Sequence, residues 1–265
     1  MTGAVTDLSG RISLADVALA LCLVAVSVVV SRLRRADLET DIVVATVRSF
    51  AQLLAVGFVL DYAFAGRGWL TPVILAVMVG TATLTSGARA RRVPGARGIA
   101  AAALAVATGG TLGLLLLLRI VPAEPRAAIP LGSMIISNAM NTTSLVMTRL
   151  RDDLAGHRRE VEARLSLGQT SAEAAAPWHR SALRTGMLPV VDNTKVVGLV
   201  ALPGAMTGML LAGASPTAAI RLQLVVMYML LAGNAFAALV AGRLTLGRLF
   251  TADHQLVRSL RRVPT

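Results

Sequence analysis

The feature that most constrains this chain is the alternation of long apolar stretches with short arginine clusters. Apolar runs lie at about Leu14 to Ser31, Ile42 to Tyr62, Pro72 to Ala88, Ile99 to Ile120, Ala128 to Thr148, Pro189 to Gly213 and Thr217 to Arg243. A helix of ~20 residues crosses a hydrocarbon layer of ~30 Å. Lipid offers no partner to backbone N–H and C=O groups, and a helix satisfies them internally. The expectation is an all-α polytopic membrane protein with seven transmembrane helices, one domain over residues 1–265. A hydrophobic content of 55% and a mean hydropathy of +0.69 point the same way and exclude a soluble enzyme built on one large core.

The net charge of +12 invites a nucleic-acid partner, but its distribution argues otherwise. Aromatic residues are only 3%, too few to interleave with basic patches as stacking platforms. The cations sort by side instead. Nineteen of the 26 Lys and Arg fall on alternate loops: Arg32, Arg34 and Arg35; Arg89 to Arg97; Arg149 to Arg184; and Arg243 onward. Only five (Arg11, Arg67, Arg119, Arg126 and Arg221) fall on the other side. By the positive-inside bias the N-terminus is outside and the C-terminus inside. The N-terminus has no basic stretch and no small-residue cleavage signature, so the first run is read as an anchor rather than a removable leader. Cys22, the single cysteine, is expected to be a small buried hydrophobe.

Polar residues inside spans are costly, and they mark function or packing. Arg48 and Lys195 each lie six residues past the inner start of a span, roughly 9 Å deep. Asp192 lies roughly 5 Å deep, one turn before Lys195. Its carboxylate is too short to reach water and is expected to pair with Lys195 or Arg48. A packing role and a role in gating or passage both remain open for this pair. The fifth span is the polar one: Met134, Asn138 and Asn141 share a face near the midplane, flanked by Ser137 and Ser144. That face lines a pathway or hydrogen-bonds between helices. In the sixth span, Pro203 is expected to bend the helix, and Gly204 and Gly208 have the GxxxG spacing of close helix approach.

The longest polar run, residues 149–187, lies on the inner side. Leu154, Val161 and Leu165 recur at helical spacing, so an amphipathic helix is expected. Thr170 to Glu173 has capping-box spacing, and Pro177 is expected to end the short helix it opens. Trp178 and Arg180 are expected at the membrane interface. His157, His179 and His254 have no ligand spacing and are read as surface residues. Within the run, Glu162-Ala163-Arg164-Leu165-Ser166-Leu167-Gly168 resembles the EAA-x-x-x-G coupling loop of ABC transporter permeases, with arginine in place of the second alanine. A short helix that docks on a soluble ATPase needs small residues for close approach, a charge for register and a glycine to end it.

Three further stretches carry a closer resemblance. Arg48-Ser49-Phe50-Ala51-Gln52-Leu53, the run from Pro130 to Asn141, and Leu202-Pro203-Gly204-Ala205-Met206-Thr207-Gly208 with Gly213, Ser215-Pro216 and Gln223 are similar to the signatures of the FetB (YbbM) type of ABC permease. That family includes the plant aluminium-sensitivity permeases. The resemblance implies a permease subunit that dimerises in a bacterial inner (plasma) membrane. It binds a separate ATPase, which carries ATP and Mg. It also implies a role for Met134, Asn138, Asn141, Met206 and Gln223 in the substrate pathway. Arg48 and Gln52 would serve as intramembrane charge or gating groups, beside Asp192 and Lys195, for which that role is read from their depth in the span, and Glu162, Ala163, Arg164 and Gly168 as the ATPase contact. Bacterial members imply iron export; plant relatives imply another metal or a nucleotide-sugar.

No P-loop G-x-x-x-x-G-K-[ST] occurs, so ATP hydrolysis must come from another chain and no cofactor is expected on this one. The leading expectation is the permease subunit of an ATP-driven exporter with a metal-ion cargo. A self-sufficient secondary transporter or channel using Asp192 as a proton site is the second class. An intramembrane enzyme is disfavoured, since neither H-E-x-x-H nor G-x-S-x-G is present.

Overall fold

The computed structural model describes residues 14–35, 37–64, 68–257 and 260. Arg11, Arg67, Arg258, Arg261 and Arg262, which entered the charge comparison, lie outside the described residues. Within them the chain forms nine helices and no strand: α1 Leu14–Arg34, α2 Glu39–Phe64, α3 Leu70–Arg89, α4 Ala96–Leu117, α5 Pro125–Gly156, α6 Arg158–Ser166, α7 Ser171–Val196, α8 Gly204–Leu211 and α9 Pro216–Leu249. Four of these, α2, α3, α4 and α9, are long and apolar enough to cross a membrane. The fold is thus an all-helical, polytopic membrane architecture.

The chain divides into two compact units. The first takes residues 1–67 and 204–219, hence α1, α2, α8 and the first turn of α9. Ser31 stitches α1 to α2: its hydroxyl donates to Glu39 Oε1 at 3.1 Å and accepts the Leu38 N–H at 3.1 Å. α1 and α2 bury almost nothing, and Cys22 is exposed rather than buried as expected. In a spanning helix an apolar side chain loses nothing by facing lipid, so burial is not what the sequence pattern reports there.

The second unit, residues 68–203 and 220–265, holds the packed bundle. Its core packs large side chains such as Leu104, Ile135, Met147 and Leu150 beside stripes of small residues that let helices approach. Ala96, Ala100, Ala103 and Ala107 form a buried stripe along α4, and Ala237, Ala238 and Ala241 form one on α9. A Cβ on Gly132 would lie 2.5 Å from Leu75 Cδ2, and one on Gly233 would lie 3.1 Å from Ile135 Cγ2. At both glycines α5 thus lies close to its neighbour, α3 at Gly132 and α9 at Gly233, and a Cβ would make Leu75 or Ile135 shift.

The largest departures from expectation fall on the polar run. α5 does not stop at Thr148 but continues to Gly156, and α7 begins at Ser171, well before Pro189. The capping box forms: the Thr170 hydroxyl accepts the Glu173 N–H, and the Glu173 carboxylate accepts the Thr170 N–H at 2.9 Å. Pro177 does not end the helix it opens. It forfeits one backbone hydrogen bond, but Ala174, Ala175, Trp178, Ala182, Gly186 and Val190 are buried at helical spacing across it. Packing of that stripe outweighs the local loss. Trp178 is correspondingly in the core, 8% exposed, and not at an interface with lipid.

The sixth apolar run is likewise not one bent helix. α7 ends at Val196, residues 197–203 are irregular, and α8 starts at Gly204. Gly198 has φ +84, a left-handed conformation that glycine adopts without strain. Pro203 disfavours helical geometry at Leu202. The interruption therefore spans seven residues where a kink at Pro203 was expected. Outside its own helix, no described atom lies within 4 Å of a Cβ built at Gly204 or Gly208, so the GxxxG spacing makes no close contact with the described residues of the first unit. At α9 Ser215 and Pro216 form an N-terminal cap: Ser215 Oγ accepts the Ala218 N–H at 3.3 Å and Pro216 opens the helix.

Candidate transport site

In the second unit, α5, the end of α7, the irregular segment and α9 enclose a cavity of about 310 Å³. Asn138 reaches it from α5, about 20 Å along that helix from Pro125. Met134 lies one turn earlier. α9 contributes Gln223 and Met227, and α7 contributes Asn193 and Thr194. Val197, Ala201 and Pro203 of the irregular segment complete the wall. Non-helical backbone at membrane depth is tolerated where it lines a cavity, and broken helices of this kind build transporter sites.

The polar atoms in this wall are incompletely satisfied. Asn138 Nδ2 donates to the Met134 carbonyl at 2.9 Å, and the Thr194 hydroxyl donates to the Val190 carbonyl at 2.7 Å. Gln223 is 6% exposed, yet its Oε1 has no partner among the described residues. A buried amide oxygen without a donor costs about 1–3 kcal/mol, so its retention calls for a purpose. No carboxylate, imidazole or thiol lines the cavity, and no group of three or more His, Cys, Asp or Glu with metal-binding geometry occurs among the described residues. The wall offers neutral donors only: amides, one hydroxyl and two thioethers.

Of the pathway residues chosen from the sequence, Met134, Asn138 and Gln223 come together in this cavity. Asn141 does not line it; its Oδ1 accepts from Arg89 Nη1 at 2.7 Å, tying α5 to the end of α3. Met206 lies on α8 in the first unit, half-buried. Asp192 Oδ1 accepts from Lys195 Nζ at 3.0 Å within α7, with both side chains more than half exposed. Arg48 and Gln52 lie one turn apart on α2, both exposed.

The residues of the coupling segment form α6 and its cap. Glu162 Oε1 accepts from Arg158 Nε at 2.8 Å, and Arg164 Nη2 donates to Glu160 Oε1 at 2.8 Å. Ala163 is exposed. Gly168, at φ +86, ends the helix in the left-handed conformation typical of a residue just past a C-cap. α6 is fastened to α7: the Arg164 guanidinium lies 5.3 Å from the Trp178 ring centre, and the His157 ring lies 5.4 Å from it on the preceding connection. His179 is half-buried rather than a surface residue. Desolvation holds its pKa below the ordinary range, and its Nε2 has no partner among the described residues.

Sequence reasoning missed one polar node. Asn234, 1% exposed, accepts the Thr142 hydroxyl at 2.6 Å and donates to the Leu230 carbonyl at 2.8 Å. The Gly186 carbonyl is 3.2 Å from the same hydroxyl, so α5, α7 and α9 meet at this point. The available signal was an asparagine inside a long apolar helix, which ought to have been paired with a facing hydroxyl.

A family model described as "Uncharacterised protein family (UPF0014)" matches residues 14–250. The chain belongs to the UPF0014 family. It is 41% identical over 239 residues to the UPF0014 membrane protein STAR2 of Oryza sativa subsp. japonica, covering 89% of this chain and 84% of that protein. To the protein ALUMINUM SENSITIVE 3 of Arabidopsis thaliana it is 39% identical over 90% of this chain and 88% of that one. To the "Probable iron export permease protein FetB" of Escherichia coli (strain K12) it is 34% identical over 94% of this chain and 96% of that one. The family seen in the sequence signatures is therefore the right one, and this UPF0014 chain is a membrane protein of a permease family. No solved structure matches it.

Proposed function

We propose that this UPF0014 chain is the membrane-spanning subunit of an ATP-driven exporter in a bacterial plasma membrane, working as a homodimer with a separate ATPase. In this reading seven helices cross the bilayer, with the N-terminus outside and the C-terminus inside, and the whole chain is one permease domain. ATP and Mg act on the partner; this chain supplies the path.

The observation that carries the proposal is α7. One helix of 26 residues, about 39 Å long, is fastened to α6 near its start and forms the cavity wall near its end. A push on α6 transmitted through Arg164, Val161 and Trp178 moves a rigid rod. That rod ends at the Gly198 hinge, where the wall can rearrange. The exposed face of α6, with Ala163 and the Glu162 and Arg164 charges, suits a cleft on a soluble partner.

The cargo is proposed to be a metal ion of the iron class, after the E. coli relative's name. A wall of neutral amide, hydroxyl and thioether donors holds a cation weakly, which favours release over storage. Asp192 and Lys195 next to this wall, and Arg48 and Gln52 on α2, are proposed to bias opening rather than to ligate cargo.

Reconstitution of the chain with its ATPase in liposomes tests the proposal. Iron should stimulate hydrolysis and appear on the far side only with ATP. Full-rate passage by this chain alone would replace the proposal with a secondary transporter or channel. Glu162→Arg should sharply reduce co-purification of the ATPase while membrane insertion is unchanged; undiminished co-purification would remove α6 as the docking element.

A further inference from the structure

A second pocket, of about 220 Å³, lies away from the transport cavity, where the end of α3 and the α3–α4 connection meet α5. Its wall is Arg89, Ala90, Arg91, Arg92 and Val93 on one side and Thr148, Arg151 and Asp152 on the other. We infer that this pocket binds a phosphate-bearing anion.

Charge is the first argument. Four guanidinium groups and one carboxylate face a single concavity. The carboxylate is already neutralised, because Asp152 Oδ1 accepts from Arg151 Nη1 at 2.6 Å. Arg89 spends one nitrogen on Asn141. Arg91 and Arg92 are exposed and are given no acidic partner among the described residues. Arg151 Nε is buried and has no acceptor among the described residues. A buried guanidinium donor without an acceptor is costly, and a phosphate oxygen is the acceptor its planar fork matches best.

Shape and depth are the second argument. Arginines that merely set topology need only be solvated; here they wall a pocket whose floor, Ala90 and Val93, belongs to the core at 1% and 3% exposure. The volume equals about seven waters, enough for a phosphate with some hydration and not for acyl chains. On the seven-span reading proposed above, with Pro125 at the opposite face, Thr148 lies about 35 Å along α5, a full hydrocarbon thickness away, which puts the pocket at the level of lipid head groups on the α6 side. Basic pockets between spanning helices on that side bind anionic head groups. The same chemistry also accepts free phosphate.

Two assays separate these sources. Protein is extracted from vesicles of mixed phosphatidylglycerol and phosphatidylcholine, and retained lipids are counted by native mass spectrometry. In parallel, inorganic phosphate is titrated against lipid-free protein in neutral detergent while the Tm is followed. Retained phosphatidylglycerol that falls roughly 30-fold in Arg91→Gln/Arg92→Gln assigns the site to a lipid. A phosphate-dependent rise in Tm that the same variant abolishes assigns it to a soluble anion. Arg151→Gln, which deletes the buried donor, should act in the same direction. Arg180→Gln/Arg184→Gln removes equal charge from exposed positions of α7 and should leave both readouts unchanged. Equal losses in that control, or no loss in Arg91→Gln/Arg92→Gln, would overturn the inference.

Discussion

Gly186→Ala tests whether α7 is held rigidly on α5. Gly186 faces Val146 and Thr142, and a Cβ there would collide with Val146 Cγ2 while standing 3.5 Å from Thr142 Cγ2. Val146 is fully buried, and its β-branched side chain has little freedom at χ1, so it cannot swing aside. The helices must instead part by on the order of 1 Å to restore a normal carbon–carbon separation. Overpacking of this kind costs about 1–3 kcal/mol. Parting also stretches the 3.2 Å approach of the Thr142 hydroxyl to the Gly186 carbonyl past hydrogen-bonding range. A loss of about 2 kcal/mol would lower the Tm in detergent by roughly 4–8 °C. Val146→Ala alone should cost about 1–2 kcal/mol through the two lost methyl groups. Combined, the two changes should relieve one another, with a coupling of about 1–2 kcal/mol in a double-mutant cycle. Additive losses would show that the two helices do not touch at this point, and the lever would lose its fulcrum.

Gln223→Leu should leave stability unchanged or raise it by about 1 kcal/mol, because it removes an unpartnered buried oxygen. Cargo-stimulated ATP hydrolysis should fall at least tenfold; unchanged stimulation would take Gln223 out of the path. Glu173 is held below the ordinary carboxylate value of 4.5 by the Thr170 backbone N–H and hydroxyl, and is fully exposed. A depressed folded value means its contribution is present above 4.5 and is lost as pH falls through the depressed value. Hydrogen exchange in the first turn of α7 should therefore accelerate on acidification. The acid dependence should weaken in Thr170→Ala, whereas identical profiles would deny the cap its role.

The relation between pattern and fold differs from element to element. Apolar runs marked where helices lie, since a hydrocarbon layer penalises every unpaired backbone group whatever the neighbours are. Arginines did not mark their ends: α5 runs through Arg149 and Arg151, and α7 holds Arg180 and Arg184. The cap at Thr170, the glycine after α6 and the proline that opens α9 were legible because each is decided by atoms within four residues. Asn138 could be singled out as a polar residue in an apolar helix for the same reason: lipid alone makes it expensive. Met134 was chosen because it shares that face, and Gln223 through the resemblance to the family signature.

What lay beyond the sequence was everything settled by contact between distant segments. Pro177 reads locally as a stop, yet α7 runs through it because Trp178, Ala182 and Gly186 fit against α5, α6 and α9. Asn141 resembles Asn138 in the sequence, but a guanidinium from the end of α3 takes its oxygen and leaves Asn138 to the cavity. The node at Asn234 needs a hydroxyl 92 positions away. The unpaired oxygen of Gln223 can be known only once every neighbour has been found wanting. Solvation by lipid acts on each residue singly and so is written in the linear order of the chain. Packing and hydrogen-bond pairing depend on which faces meet, and only the folded bundle decides that.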